Sequence, residues 1–474
     1  MSWFPSCRLV LPLALVLSVT TTTIRAQDVD RRALEELFGE PVTTSATGKP
    51  QRSSDVPVGM DIITAEQITR SGARDIPEVL ERFTSLDVQR YNTNDYSVTA
   101  RGYAAPNTPR MLVLVNGRQV YRDDFGRVSW QNIPVQLSEI RQIEVVRGPN
   151  SALFGFNAGA GVINIITFDA VHDRESNVVA RVGNGEYREL SGVASAPLGE
   201  GSGLRLSAGL REQQSWRGSY SSLEEALRSD RDPWHGQVAG EAIVRLAEGV
   251  RAGFDASYSR SVGGELLLPG VFAPWSLTSW SVRGRVTADT AAGIVEASVY
   301  HNALEAGLAG VPTNRQGVTV VQLSDTLKPS AAHTLRPFLE YRRNDIRGVS
   351  ATGGPGSFLA VPSTRTAYDV VAGGVMWNWA IHPDLEWTGA LRYDHLWYGG
   401  SGYDAVAGNP YRDADYRRNW ETLSWNAGMV WRATPEDTLR AAAARGVVLP
   451  SDYDLSAFSP VPALGLTVVG NPYL

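Results

Sequence analysis

The stretch VRAGFDASYS, residues 250–259, alternates apolar and polar side chains. Val250, Ala252, Phe254, Ala256 and Tyr258 fall on one face of an extended chain, and Arg251, Gly253, Asp255, Ser257 and Ser259 on the other. Successive side chains of a strand point to opposite sides, so this is a strand with one apolar and one polar face. The pattern recurs outward along the chain. Trp280, Val282, Val286 and Ala288 oppose Ser281, Arg283, Arg285, Thr287 and Asp289. Leu385, Trp387, Leu391 and Tyr393 oppose Glu386, Thr388, Arg392 and Asp394, and Leu423, Trp425, Met429 and Trp431 oppose Ser424, Asn426 and Arg432. A soluble sandwich also alternates, with its polar face to water. A membrane barrel turns its apolar face to lipid and its polar face to a wet lumen. Alternation alone does not separate the two.

The connections do. Short turns are read near Pro197–Gly203, Ala247–Gly249, Thr290–Gly293, Lys328–Ala331, His382–Pro383 and Thr434–Glu436. Long polar loops fall between them, near Gln214–Trp234, Ser261–Leu277, Leu304–Gln316, Asn344–Thr364 and Tyr398–Trp420. Outer-membrane barrels sort their connections in this way, short inside and long outside, and a sandwich has no reason to. Trp234, Trp275, Trp379, Trp397, Trp420 and Trp431 lie near segment ends, where interfacial aromatic girdles belong.

The N-terminus fits an exported chain. Arg8 precedes an apolar run from Leu9 to Val19, and Ala26 is a small residue at a cleavage point, so residues 1–26 read as a signal peptide. The single cysteine, Cys7, leaves with it, so the mature chain has no thiol chemistry. No later stretch reaches the ~18 apolar residues of a membrane helix. The formal net charge of -6 gives no basic footprint, and no nucleic-acid partner is expected.

Residues 51–170 differ in character from the 171–474 region of alternating segments. Thr64-Ala65-Glu66-Gln67 is a capping box, and Gly72 suits the end of the helix it opens. Ile76, Val79, Leu80 and Phe83 share one face of a second helix, starting near Asp75. Met111–Val115 and Arg118–Tyr121 flank Asn116-Gly117, a strong hairpin signal. Gln142–Val146 and Gly161–Thr167 read as further strands, giving a small α+β domain.

Four stretches of this region carry a resemblance: DIITAEQITRSGARDIPEVLERFTSLDVQR (61–90), SVTARGY (97–103), MLVLVNGRQVY (111–121) and IPVQLSEIRQIEVVRGPNSALFGFNAGAGVINIIT (133–167). In order and spacing they resemble the plug domain of TonB-dependent outer-membrane receptors. The resemblance implies an α+β plug domain within an antiparallel transmembrane β-barrel of about 22 strands. Glycines at Gly148, Gly155, Gly159 and Gly161 would allow the tight turns of such a plug. Arg101 and Arg147 match family arginines that pair with barrel glutamates and lock the plug in place.

Upstream, in a periplasmic segment spanning residues 27–50, EPVTTSAT resembles the Ton box. Glu40, Pro41, Val42, Thr43, Thr44, Ser45 and Ala46 would form it, although Pro41 stands where many members have Thr. A β-prone segment with free edges can add as a strand to a partner sheet, here that of TonB. ARGVVLPSDYDL (444–455) and GNPYL (470–474) are similar to late family motifs. In haem receptors of the family a histidine lies between those motifs; none stands between Pro450 and Asn471, so haem is not the expected ligand.

The resemblance implies energised uptake of a scarce small molecule, such as a ferric siderophore or cobalamin, across the outer membrane of a Gram-negative bacterium. The partners would be TonB, membrane lipid and a small-molecule ligand, a metal chelate among the candidates. The alternatives are a plugged receptor fragment without transport, and a passive pore or adhesin. An enzyme is not expected: the six histidines are scattered, and no Gly-x-Ser-x-Gly, His-Glu-x-x-His or paired-cysteine site occurs. No cofactor or resident metal is expected. Plug-apex ligand candidates are Asn92, Asn94, Tyr96, Tyr103, Asn107 and Arg110, within the stretches 92–96 and 104–110 or beside them. The alternating segments number about 13, the last from Asp437 to Val447, so the sheet should stay open with unpaired first and last strands, about nine short of a complete barrel.

Overall fold

The computed structural model describes residues 40–43, 45, 51–52, 55–102, 111–216, 232–268, 271–308, 311–348, 364–434, 436–461 and 466–474. The signal-peptide reading therefore lies outside the described residues.

The first body holds short strands β1 (Val42–Thr43), β2 (Gln51–Arg52), β3 (Met60–Thr64), β4 (Asp87–Arg90), β5 (Tyr96–Thr99), β6 (Met111–Val115), β7 (Arg118–Gln119), β8 (Ile140–Arg147) and β9 (Gly161–Thr167). Helices α1 (Ala65–Ser71), α2 (Ile76–Phe83) and α3 (Ser151–Phe154) accompany them. A five-stranded sheet runs β3-β8-β9-β6-β7, with β6 and β9 parallel. The capping box forms as read: the Gln67 amide donates to Thr64 Oγ1 and the Thr64 amide to Gln67 Oε1. Gly72 closes α1 in the left-handed region at φ 65°, and Asp75 caps α2. Asn116 and Gly117 both take positive φ, 50° and 79°, as a tight hairpin requires. Strand β7 is shorter than expected, and Arg122 and Arg127 instead make an isolated bridge beyond it. The core is apolar and dry: Ile63, Val79, Leu80, Val113, Ile143 and Ile163 pack together with almost no exposure.

The second body is one antiparallel sheet of 13 strands in strict chain order. They are β10 (Ser176–Gly183), β11 (Tyr187–Pro197), β12 (Gly203–Glu212), β13 (Trp234–Ala247), β14 (Val250–Leu268), β15 (Val271–Asp289) and β16 (Gly293–Leu308). β17 (Val311–Ser330), β18 (His333–Gly348), β19 (Arg365–His382), β20 (Leu385–Ser401), β21 (Arg418–Arg432) and β22 (Thr438–Arg445) follow. Among the described residues β10 pairs only with β11 and β22 only with β21, so the sheet is open, as expected. The end where β10 begins is called proximal below, and the opposite end distal.

Which way the faces point decides between sandwich and barrel. On β12, Arg205 and Ser207 are buried while Leu206 and Leu210 are 53 % and 64 % exposed. On β18, Glu340, Arg342 and Asn344 are buried, and Leu339 and Tyr341 look outward. The apolar face is the exposed one, the reverse of a soluble sheet and the pattern of a lipid-facing wall around polar contents.

Two loop readings are corrected. Ser261–Leu277 and Leu304–Gln316 are mostly strand: β14 continues to Leu268 and β15 resumes at Val271, and β16 and β17 are likewise separated by two residues. Gly263, Gly264, Pro274, Gly307 and Pro312 interrupt the alternation there without loss of pairing. The parity rule also fails at β10–β11, whose distal connection spans only residues 184–186. After β22 the chain forms a short helix α4 (Asp452–Ser456), capped by Ser451, and a small hairpin of β23 (Phe458–Val461) and β24 (Leu466–Val469), rather than a bare loop.

The exposed and buried faces of β12 are expected to respond oppositely to substitution. Leu206→Arg should cost about 2–4 kcal/mol in lipid vesicles, as for a cation at mid-depth. Ser207→Ala should leave the unfolding midpoint in urea nearly unchanged, since its hydroxyl has no hydrogen-bond partner. Equal effects of the two would refute the assignment of faces.

Candidate functional site at the plug and barrel junction

Apolar contacts join the first body to the wall, Ala152 and Leu153 packing with Met376 and Ala390 and Phe156 with Tyr368, and three groups of polar contacts stand beside them. The first is distal. Arg122 and Arg127, beyond the β6–β7 hairpin, converge on Glu265 near the distal end of β14, at 3.5 and 3.9 Å. Arg122 also pairs with Asp124 at 2.8 Å and Arg127 with Asp95, and Gln131 donates to Glu265 at 3.1 Å. Every member is nearly fully buried. The second group centres on Glu139, which accepts from Arg205 of β12 at 2.5 Å; Arg205 in turn lies 3.6 Å from Glu241 of β13. The third holds the hairpin. Asn302 accepts from Arg118 at 2.9 Å and donates to the Gln119 carbonyl, Arg283 donates to the Asn116 carbonyl at 2.7 Å, and Arg342 donates to Gln119 Oε1. Gly155, at φ 82°, has no side chain to keep Arg392 away: a Cβ there would meet its guanidinium at 3.2 Å. Arg392 is thus free to pair with Glu340 at 3.1 Å and with Asp394.

The lock expected at Arg101 and Arg147 meets no wall partner among the described residues. Arg101 is exposed, with left-handed backbone at φ 62°, and touches no barrel glutamate among the described residues. Arg147 turns back onto its own domain, to Ser85 Oγ at 2.9 Å and Asp61 at 3.5 Å. Arg101 is exposed and Arg147 half-buried. The arginine–glutamate pairing that does occur, at Arg122, Arg127 and Glu265, was missed in the sequence. Its signal is the charge-dense run Arg122–Arg127 between apolar Val120 and Val128, and a lone Glu265 beside Leu266 in a segment read as loop.

The apex candidates separate. Asn92 and Asn94 both donate to the Gly264 carbonyl, at 2.7 and 3.2 Å, so they sit at the distal junction. Tyr96 points the other way: it is 5 % exposed, its hydroxyl donates to the Asp75 carboxylate at 2.8 Å, and it belongs to the domain core. Strand alternation turns it inward from β5. Tyr103, Asn107 and Arg110 lie outside the described residues.

The EPVTTSAT segment is already paired. Val42 and Thr43 form β1 against β2, in register with Arg52 and Gln51, and both are fully buried. Thr43 donates to Glu144 at 2.8 Å, Gln142 donates to the Val42 carbonyl at 3.1 Å, and Asn164 donates to Ser45 Oγ at 3.1 Å. The free edge expected here is therefore covered, by a two-residue ladder. Glu40 and Pro41 are half-buried, and Thr44 and Ala46 lie outside the described residues.

At the distal end α4 closes over the domain. The Asp452 and Tyr453 amides donate to the carbonyls of Asp123 and Asp124, and Tyr453 stacks on Phe125 with centroids 5.1 Å apart. The Asp123 carboxyl accepts from Asn344 at 2.8 Å and Gln316 at 3.3 Å. Burial pushes it up to about 6, against the pull of Arg342. A polar cavity of about 250 Å³ lies nearer the proximal end, lined by Asn116, Gly117, Arg283, Glu296, Arg336 and Glu340 among others. Among the described residues no group of three or more His, Cys, Asp or Glu side chains is placed to hold a metal ion.

The raised Asp123 predicts a pH dependence. A carboxyl that holds its proton more tightly folded than unfolded stabilises the fold fully below its ordinary value of 3.8, and that contribution is lost as pH rises through about 6. The purified chain in micelles should thus lose denaturation midpoint between pH 4 and 7, and Asp123→Asn should flatten that part of the slope. Identical slopes in both proteins would assign the effect elsewhere.

Comparison with known proteins follows the two bodies. Residues 52–162 match the family model described as TonB-dependent Receptor Plug Domain, and residues 195–474 that described as TonB dependent receptor-like, beta-barrel. The chain is 29 % identical over 177 residues to the vitamin B12 transporter BtuB of Vibrio cholerae, covering 37 % of this chain and 28 % of the transporter. It is 28 % identical over 196 residues to the ferric enterobactin receptor of Pseudomonas aeruginosa, covering 37 % of this chain and 24 % of that receptor. The matches thus span less than a third of either relative's length. Among solved structures it resembles the ferric yersiniabactin uptake receptor FyuA of Yersinia pestis, with a TM-score of 0.65 at 16 % identity over 85 % of this chain and 66 % of that one. The alcaligin outer-membrane receptor FauA of Bordetella pertussis gives 0.64 at 15 %, over 86 % and 66 %. With an α+β plug held by polar contacts against an inside-out antiparallel wall, and both domain models matched, the chain belongs to the TonB-dependent receptor family.

Proposed function

We propose that the chain serves energised uptake of a scarce small molecule, a ferric siderophore, cobalamin or a similar ligand, through the outer membrane of a Gram-negative bacterium, with TonB as its partner. The proximal end then faces the periplasm and the distal end the exterior. The observation that carries this reading is the attachment of Val42, Thr43 and Ser45 to the central strands β8 and β9 of the plug, through Gln142, Glu144 and Asn164. A pull on that segment acts on the middle of the plug sheet, not on a loose tail. Hydrogen bonds and ion pairs make up much of the junction with the wall, beside apolar contacts at Ala152, Phe125 and Phe156. A passive pore has no use for such a plug, and the residues assembled here hold and position rather than catalyse.

The segment offers a direct test. Val42→Pro removes an amide donor from the strand that would add to TonB. Capture of the periplasmic domain of TonB by the purified chain should be lost, and uptake of ferric enterobactin or cyanocobalamin in a receptor-deficient host should fall to background with surface binding retained. Wild-type capture by the variant would mean that TonB engages another segment.

Haem offers a second test. With no histidine between Pro450 and Asn471, the chain should not restore growth of a haem-receptor mutant on haemin as sole iron source. Restored growth would place haem among its ligands.

A further inference from the structure

One amide side chain joins the segment at Ser45 to the turn of the β6–β7 hairpin. Asn164 of β9 is buried, inside the otherwise apolar run Val162-Ile163-Asn164-Ile165-Ile166. Its Nδ2 donates to Ser45 Oγ at 3.1 Å, and its Oδ1 accepts the Gly117 amide at 3.2 Å. Those partners stand 119 and 47 positions away along the chain. A buried amide is costly unless both ends are hydrogen-bonded, so packing of the sheet gives no reason for one at this position.

The Gly117 end matters because of what the turn divides. Two cavities lie along the inner side of β15 and β16. The distal one, of about 80 Å³, is lined by Arg118, Ser279, Ser281 and Asn302 among others. The proximal one, of about 250 Å³, starts at Asn116, Gly117, Arg283 and Ser298. The two linings share no residue. The turn and its wall contacts form the boundary, with Arg283 donating to the Asn116 carbonyl at 2.7 Å and Arg118 to Asn302 at 2.9 Å. Gly117 borders open space, since a Cβ there would meet nothing within 4 Å.

Among the described residues, four hydrogen bonds tie this turn to β9. The Asn116 side chain exchanges two with Thr167, the Asn116 amide donates to the Ile165 carbonyl, and the Gly117 amide donates to Asn164. Only the last uses a side chain that also holds the Ser45 segment. Glu144 stands directly across the ladder from Asn164, and its carboxyl accepts from the Thr43 hydroxyl at 2.8 Å. Departure of the segment therefore frees an acceptor on Glu144 and a donor on Asn164 at once. The two are facing neighbours, and pairing them turns the amide away from Gly117.

We propose that Asn164 is a positioning residue that couples the docking of Ser45 to the Asn116-Gly117 turn, the partition between the two cavities. This rests on the uptake reading above, in which a partner draws the segment away. With Ser45 docked, the turn is clamped and the cavities are separate. With Ser45 gone, Asn164 swings to Glu144, Gly117 is released, and the turn yields so that the cavities join into one polar path along the wall.

The test is amide hydrogen exchange at Gly117 in the purified full chain in micelles. Ser45→Ala removes the acceptor and leaves Asn164 and Gly117 in place, so exchange at Gly117 should quicken about tenfold, the worth of one hydrogen bond. Ser45→Thr keeps a hydroxyl and should match wild type. Val113, in the plug core on the same hairpin, should exchange at the wild-type rate in both. In an Asn164→Leu background, Ser45→Ala should have no further effect at Gly117. An unchanged Gly117 rate in Ser45→Ala, an equal rise in Ser45→Thr or at Val113, or a full added effect in the Asn164→Leu background would each overturn the assignment. The periplasmic domain of TonB, added to wild type, should quicken Gly117 as Ser45→Ala does. If it has no effect while Ser45→Ala does, the coupling through Asn164 stands and TonB is not the partner that draws the segment away.

Discussion

A bilayer offers no hydrogen bonds, and that constraint orders everything else in this molecule. Every backbone group at membrane depth must find its partner in a neighbouring strand, which the chain-order pairing supplies on both sides for β11 to β21 and on one side for the edge strands β10 and β22. Lipid then takes the apolar side chains, so polar ones are driven to the concave face. A wall lined with Arg205, Glu241, Arg283, Glu340 and Arg392 cannot pack against an oily core. It is filled by a body whose surface is largely polar, with apolar patches at Phe156 and Ala152, over an apolar interior of its own.

The plug is held by charge as well as by apolar burial at Ala152 and Phe156. Such pairs fix geometry more reliably than they add stability, because each ion gives up its water. The Glu265 and Glu139 centres specify where the plug sits, and Phe125 on Trp275 and Phe156 on Tyr368 pack in the same junction. The plug's apolar core lies elsewhere, among Ile63, Leu80, Val113 and Ile163, so loosening the junction does not touch it.

The fold was legible to the extent that it is periodic. Alternation located the spanning strands, the short proximal turns fell where glycine, proline and polar residues interrupt it, and Thr64, Gly72 and Asn116-Gly117 punctuated the plug as their chemistry dictates. Legibility failed where a side chain's partner is distant in sequence. Arg122 meets Glu265 across 143 positions and Arg205 meets Glu139 across 66, and no local pattern marks either pair. Arg147 carries a motif yet pairs within its own domain, because motif position does not say which neighbour is nearer. The strand around Gly263, Gly264, Pro274, Gly307 and Pro312 was read as loop, since these residues interrupt the alternation without loss of pairing.

Strand length varies around the wall, and this gives the rim a slope. β10, β11 and β12 have 8, 11 and 10 residues, while β14, β15 and β17 have 19, 19 and 20. At ~3.3 Å per residue and ~40° tilt the long strands rise about 50 Å, the short ones about 25 Å. Among the described residues the hydrogen-bonded wall is thus about twice as high on the β14–β17 flank as on the β10–β12 flank, so a body resting on the plug is braced by paired strand chiefly from one side.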